Sequence, residues 1–200
     1  MEEREEIKRT LEVLKAGGVI LYPTDTVWGL GCDATNPEAV AKIFAIKQRP
    51  DSKSLVLLAS DMDMVCRYIK EVPEIAVQLV EVNDKPMTIV YPGARAAQAG
   101  AAPDRFLLAA NTVAEDGSVA IRVPLNEFCC KLVSAFGRPI VSTSANISGQ
   151  PAPADFEGIS SEVREAVDFT IDSAFAEGAT GKASSIIKVG LDASIEILRK

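Results

Sequence analysis

Apolar residues recur at helical spacing in Ile7, Leu11 and Leu14 and stop at Gly17-Gly18, which predicts an amphipathic helix from about Glu3 to Ala16 closed by glycine. The apolar run Val19-Ile20-Leu21-Tyr22 then predicts a buried strand. Asn36 before Pro37 reads as a cap with proline at the first helical position, and Val40, Ile43 and Phe44 give that helix an apolar face up to about Lys47. A strand is expected over Leu55 to Ala59, a helical region from Asp61 towards Val82 with a break at Pro73, and a strand over Met87 to Tyr91. From Gly93 to Gly117 the pattern dissolves into alanine, glycine and scattered polar residues, long for a loop, and a mobile lid is the expectation. Val119 to Val123 alternates as a strand, Asn126 caps a helix through Leu132 and Phe136, and Pro139 to Ser142 is a strand running into Thr143-Ser144-Ala145-Asn146. After a proline-marked turn over Gln150 to Asp155 and a short helix near Glu162 to Ala166, extended segments follow at Asp168 to Ile171, Ser184 to Val189 and Ile195 to Leu198. Helices alternate with strands early and strands crowd late. The expected fold is α/β: a twisted open mixed sheet of about seven strands with flanking helices, one domain over residues 1–200.

Composition changes this picture mainly by exclusion. The chain contains no histidine, so it lacks the commonest general base, any Ser-His-Asp or Cys-His arrangement and the commonest transition-metal ligand. Its chemistry must rest on positioning and fixed charge. The net charge of -7 argues against broad, sequence-independent nucleic-acid binding, although it allows a local basic pocket. Cys32, Cys66, Cys129 and Cys130 show no zinc-type spacing and read as buried reduced thiols. No run approaches the ~20 apolar residues of a membrane span, and the acidic start Met1-Glu2-Glu3-Arg4 is unlike a secretory signal, so a cytoplasmic location without membrane contact is expected.

Two segments imitate cofactor motifs. Gly29-Leu30-Gly31-Cys32-Asp33-Ala34 matches a dinucleotide fingerprint, with Asp51 further on, but Pro23 to Thr26 separates it from the preceding strand and the next helix starts later. Glycines that permit a turn or close backbone packing are the better reading. Gly178 to Ser184 resembles a phosphate-binding loop without the required spacer and reads as a plain surface loop.

The candidate chemistry lies elsewhere. Lys47 and Arg49 sit two residues apart at a helix end, where they either offset the helix dipole or bind an anion. Both are read as lying in a polar loop, so replacing either is expected to spare the fold. Ser144 and Asn146 would point the same way if their segment stays extended. The K-x-R pair, the S-x-N pair and Tyr22-Pro23-Thr24-Asp25-Thr26 together resemble the YrdC-like threonylcarbamoyl-AMP synthase family, and the resemblance continues through Val119 to Pro124, Pro139 to Pro153 and Ser184 to Ile187. It covers nearly the whole chain and is similar to the short, single-domain bacterial form.

That resemblance implies that Lys47, Arg49, Ser144 and Asn146 hold the phosphates of ATP, with Ser118 and Arg199 as further nucleotide-side candidates and Lys47 and Arg49 in the catalytic role. It implies a threonine pocket from Thr24, Lys53, Arg122, Ser142 and Ser184. The implied reaction makes threonylcarbamoyl-AMP and pyrophosphate from L-threonine, bicarbonate and ATP, with Mg2+ accompanying ATP. Partner proteins would then modify adenosine 37 of tRNA. Two alternatives stand beside it: a module that binds double-stranded RNA or tRNA, and a divergent enzyme of the same fold with another acceptor. Ser54, Asn126 and Ser185 depart from the family's usual proline, histidine and threonine.

Overall fold

The computed structural model describes residues 2–48, 55–176 and 178–200. The helices start where local hydrogen bonding predicts. α1 (Glu3–Lys15) turns Leu14 inward, and α2 (Pro37–Ile46) begins at Asn36, whose side chain accepts from the Glu38 and Ala39 amides. A cap of that kind is worth about 1 kcal/mol. The region after Asp61 divides at Pro73, as expected, into α3 (Met62–Tyr68) and α4 (Glu74–Val82). Asn126 caps α5 (Glu127–Phe136) by accepting from the Cys129 amide, and Gly137 ends it at φ 74°. α6 is Ser161–Glu165.

Among the described residues nine strands form one sheet, where about seven were expected. They are β1 (Ile20–Tyr22), β2 (Gly29–Gly31), β3 (Val56–Leu58), β4 (Met87–Tyr91), β5 (Val119–Arg122), β6 (Ile140–Ser144), β7 (Phe169–Thr170), β8 (Ser185–Val189) and β9 (Ile195–Arg199). Their order is β7-β1-β2-β6-β3-β5-β4-β8-β9, mixed parallel and antiparallel. The strand hidden from the sequence pattern is β2, because glycines carry no alternation. Its glycines serve close packing: a Cβ on Gly31 would stand 2.7 Å from Tyr22 Cε1 and 3.0 Å from the Val141 carbonyl oxygen. The dinucleotide reading of this segment is excluded by that geometry, since the glycines pair inside the sheet with β1 and β6.

One apolar cluster joins Leu14, Tyr22, Leu30, Ile43, Leu57, Ile89, Ile121, Leu132 and Val141. Full burial of each large aliphatic side chain contributes roughly 1.5–3 kcal/mol. The segment expected to be a lid is tied into this body. Ala94, Leu108 and Ala109 are buried, Ala109 donates its amide to the Ala34 carbonyl, and a short 3₁₀ turn covers Ala110–Thr112. Its small and apolar residues anchor both ends, leaving an exposed stretch over 98–105. Among the cysteines, Cys32 and Cys129 are buried, whereas Cys66 is exposed and Cys130 half-buried, correcting the expectation of four buried thiols. No helix among the described residues is long and apolar enough to cross a membrane.

Candidate active site

The sheet registers determine which side chains share a surface. Ser142 lies opposite Val56, and Val56 opposite Ala120, so these three face the same way. Two residues along each strand, Ser144 and Arg122 share that face. A cavity of about 260 Å³ opens there, lined by Thr26, Arg122, Ser142, Ser144, Ser184 and Arg199, with Gly29, Val56 and Ile186 on its floor and walls. It therefore runs across the middle of the sheet from β2 to β9, drawing on residues up to 173 positions apart (Thr26 and Arg199).

Arg122 is 4% exposed and carries the densest polar network of the site. Its Nη1 lies 2.8 Å from Asp25 Oδ1 and donates to Thr26 Oγ1 at 3.0 Å. Thr24 Oγ1 donates to the Val27 carbonyl at 2.8 Å, so its single proton is spent and Thr26 must donate to Thr24 across their 2.8 Å contact. The chain runs Arg122 to Thr26 to Thr24 to Val27. Arg122 Nε has no hydrogen-bond partner among the described residues. Arg122 lines a polar cavity, where a guanidinium is suited to a carboxylate or phosphate oxygen.

Arg199 supplies the second cation. β9 carries one extra residue opposite β8: Ile187 pairs with Ile197 and Ile186 with Arg199, leaving Leu198 as a bulge. The bulge brings Arg199 onto the face of Ile186, towards the cavity. There Nε donates to the Ser184 carbonyl at 2.8 Å, while burial and the charge of Arg122 lower the Arg199 pKa. Two neighbouring arginines make the cavity a site for anions. The Ser184 hydroxyl is 2.7 Å from Thr88 Oγ1.

Lys47 is built differently from the expectation. It is 2% exposed, and its Nζ donates to the backbone carbonyls of Ser144 at 2.5 Å and Asn146 at 2.7 Å. Its own carbonyl accepts from the Ser148 amide. Lys47 thus clamps the loop after β6 from inside; it is a buried residue and not the polar-loop residue expected, and its replacement would strip two part-buried carbonyls of a donor. Asn146 also departs from the extended reading. Its amide donates to the Ser144 carbonyl at 2.9 Å, a tight turn, and its side-chain amide donates to the carbonyls of Ile147 and Gln150. Ser144 and Asn146 meet at Lys47, and only Ser144 lines the cavity.

Of the remaining expected residues, Thr24 lies behind Thr26, which takes the lining position in its place. Ser118 falls outside the cavity wall, one residue before β5. Its hydroxyl donates to Asp116 at 2.6 Å, and Lys188 holds the other oxygen of Asp116 at 2.9 Å. Those contacts, the Ser118 hydroxyl first, hold the Asp116 carboxyl below the usual range. Arg49 and Lys53 lie outside the described residues, as do Asp51 and Ser54. Thr26 was the residue missed by sequence reasoning, although its two-residue spacing from Thr24 was a visible signal. The loop read as plain surface is also part of the site: Thr180 and Gly181 donate their amides to the carbonyls of Asp25 and Thr26 at 3.0 and 2.8 Å, and Ala183 and Ser184 reach the cavity.

Comparison with known proteins bears on this arrangement. The family model Sua5/yciO/yrdC, described as telomere recombination, matches residues 12–200. A threonylcarbamoyl-AMP synthase of Vibrio cholerae serotype O1 is 38% identical over 151 residues, 74% of this chain and 74% of that protein. P. abyssi Sua5 carrying H234A/Y235A superposes with a TM-score of 0.80 at 28% identity, over 100% of this chain and 57% of that one. P. abyssi Sua5 complexed with L-threonine gives 0.75 at 27% identity, over 94% of this chain and 52% of the other. The chain therefore spans a little over half the length of those archaeal proteins.

Proposed function

Because the chain belongs to the Sua5/yciO/yrdC family, we propose that it is an L-threonylcarbamoyladenylate synthase, an enzyme that joins L-threonine, bicarbonate and ATP into threonylcarbamoyl-AMP and pyrophosphate. The observation that carries this reading is the cavity in which Arg122 and Arg199 stand beside the hydroxyls of Thr26, Ser142, Ser144 and Ser184. All three substrates are anionic at some atom, and the pocket offers two fixed cations with short hydroxyl donors between them. The threonine named in the P. abyssi complex supports placing an amino acid here.

In this reading Arg122 takes the threonine carboxylate, and the hydroxyls of Thr26, Ser142 and Ser184 surround the threonine side chain. Ser144, on the loop braced by Lys47, meets the nucleotide phosphates, with Arg199 and Arg49 adding charge. The threonine amine takes up carbon dioxide from bicarbonate as a carbamate. A carbamate oxygen then bonds to the α-phosphorus of ATP while the bond to the β-phosphate oxygen breaks, and pyrophosphate leaves with its electron pair. No protein nucleophile or histidine is needed. Orientation of three small reactants and neutralisation of phosphate charge supply the catalysis. Mg2+ enters with ATP: among the described residues no three His, Cys, Asp or Glu side chains gather to hold an ion. Proteins that attach the threonylcarbamoyl group to adenosine 37 of tRNA would consume the product. The test is mass-spectrometric detection of threonylcarbamoyl-AMP after incubation of the protein with ATP, Mg2+, threonine and bicarbonate. Release of pyrophosphate without that mass would overturn the acceptor, and absence of both would overturn the reading.

A further inference from the structure

Asp25 has no place in the reaction just described, yet it is 4% exposed and both ends of it are engaged. One carboxylate oxygen is ion-paired with Arg122 Nη1 at 2.8 Å without hydrogen-bond geometry, and the other accepts from the Leu125 amide at 2.9 Å. Its backbone carbonyl accepts from Thr180, and the next carbonyl, of Thr26, accepts from Gly181. Two segments distant in sequence therefore meet on the Asp25-Thr26 pair: the stretch from Arg122 at the end of β5 to Leu125, and the loop leading to Ser184.

An arginine side chain has several rotatable bonds, and freezing one costs up to about 2 kcal/mol of rotamer entropy. With Nη1 donating to Thr26 and ion-paired with Asp25, the guanidinium is oriented before a ligand arrives, and Arg122 takes its place in the cavity lining. A salt bridge made for stability alone would be a poor investment at this depth, since desolvation consumes most of its Coulomb gain.

Resting on the reading of the cavity as a threonine site, we propose that Asp25 is a positioning residue that acts through Arg122. It sets the orientation in which the guanidinium receives the threonine carboxylate, and it couples that event to the loop over Gly178 to Ser184. Its effect on catalysis passes entirely through threonine binding.

The test is a double-mutant cycle read in steady-state constants. Asp25→Asn keeps shape and the Leu125 contact but removes the charge facing Arg122. It should raise the KM for threonine about tenfold, leave the KM for ATP unchanged and leave kcat close to wild type. In an Arg122→Lys background, which has already lost the oriented fork, Asp25→Asn should add little further. Fold-changes that multiply, or that appear equally in the KM for ATP, would overturn the proposal, because a merely structural role predicts one or the other. If Asp25→Asn does not fold, hydrogen exchange on the wild-type protein decides: threonine should slow exchange at the Leu125 and Thr180 amides. Unchanged exchange at both, in protein that forms threonylcarbamoyl-AMP, overturns the proposal while leaving the function standing. Wild-type protein that forms no such product fails the underlying reading instead.

Discussion

Lys47 and Arg122 are both buried cations, 2% and 4% exposed, and they are used in opposite ways. Lys47 spends its ammonium donors on backbone carbonyls of Ser144 and Asn146. Arg122 is held at one prong by Asp25 and Thr26 and lines the cavity. The difference teaches that a buried charge near a site is either part of the wall or a reader of ligand, and that its partners, not its charge, decide which. An ammonium is a compact point donor that can brace a loop from within. A guanidinium is a planar fork that can be fixed on one edge while offering the other.

The most severe way to break this contrast is Lys47→Met. Two part-buried carbonyls would lose their donor, at up to about 1–3 kcal/mol each, so both product formation and the thermal midpoint should fall. A variant that lost activity while keeping its melting temperature would mean that Lys47 reads ligand as Arg122 does. Substrate selectivity sharpens the other side of the contrast. Valine would leave pocket hydroxyls unpaired and should be rejected on the order of a hundredfold or more, whereas serine loses only a methyl contact, about 1–3 kcal/mol. ATP-dependent pyrophosphate release with each amino acid measures this, and valine matching serine would refute a hydroxyl-lined pocket. Arg122→Lys is the milder test: charge remains and geometry is lost, so the KM for threonine should rise about tenfold with stability little changed. An unchanged KM would place Arg122 with Lys47 in the wall.

The smallest effect belongs to Asp116, the partner of Ser118 and Lys188 at the rim. Its carboxyl titrates below the usual value because the Ser118 hydroxyl and Lys188 favour the charged form. A depressed folded pKa gives stability that is complete above the unfolded value, near 4, and is lost as pH falls below it. The group is largely solvent-screened, so the gain lies within about 0–1 kcal/mol. Asp116→Asn should therefore reduce the midpoint slightly at pH 7 and make the variant less sensitive than wild type between about pH 4 and 2. Equal acid sensitivity of the two proteins would remove Asp116 from the account.

Much of the architecture was legible in the chain. Asn36-Pro37, Asp61, Pro73 and Asn126 mark helix boundaries by local chemistry, and the structure places α2, α3, α4 and α5 where those residues put them. β2 was not legible, because a strand of Gly29, Leu30 and Gly31 has almost no side-chain pattern to read. In the site, Arg122, Ser142, Ser144 and Ser184 were named in advance and line one cavity with Arg199. Thr24 and Asn146 do not line it: each stands one hydrogen bond behind the residue or loop that reaches the cavity.

Local sequence by itself determined the helix starts, most of the strands, the absence of histidine chemistry and the set of short polar and cationic residues available for anion binding. Tertiary structure alone decided the direction of each of those side chains. Asn146 turns away because its amide finds the Ser144 carbonyl, Arg199 turns in because Leu198 bulges, and Lys47 points inward because two carbonyls about a hundred residues later need a donor. Lys47 is oriented by partners about a hundred residues on, whereas Asn146 and Arg199 are turned by a local turn and a bulge that break the regular element; side-chain periodicity carries information only about a regular element.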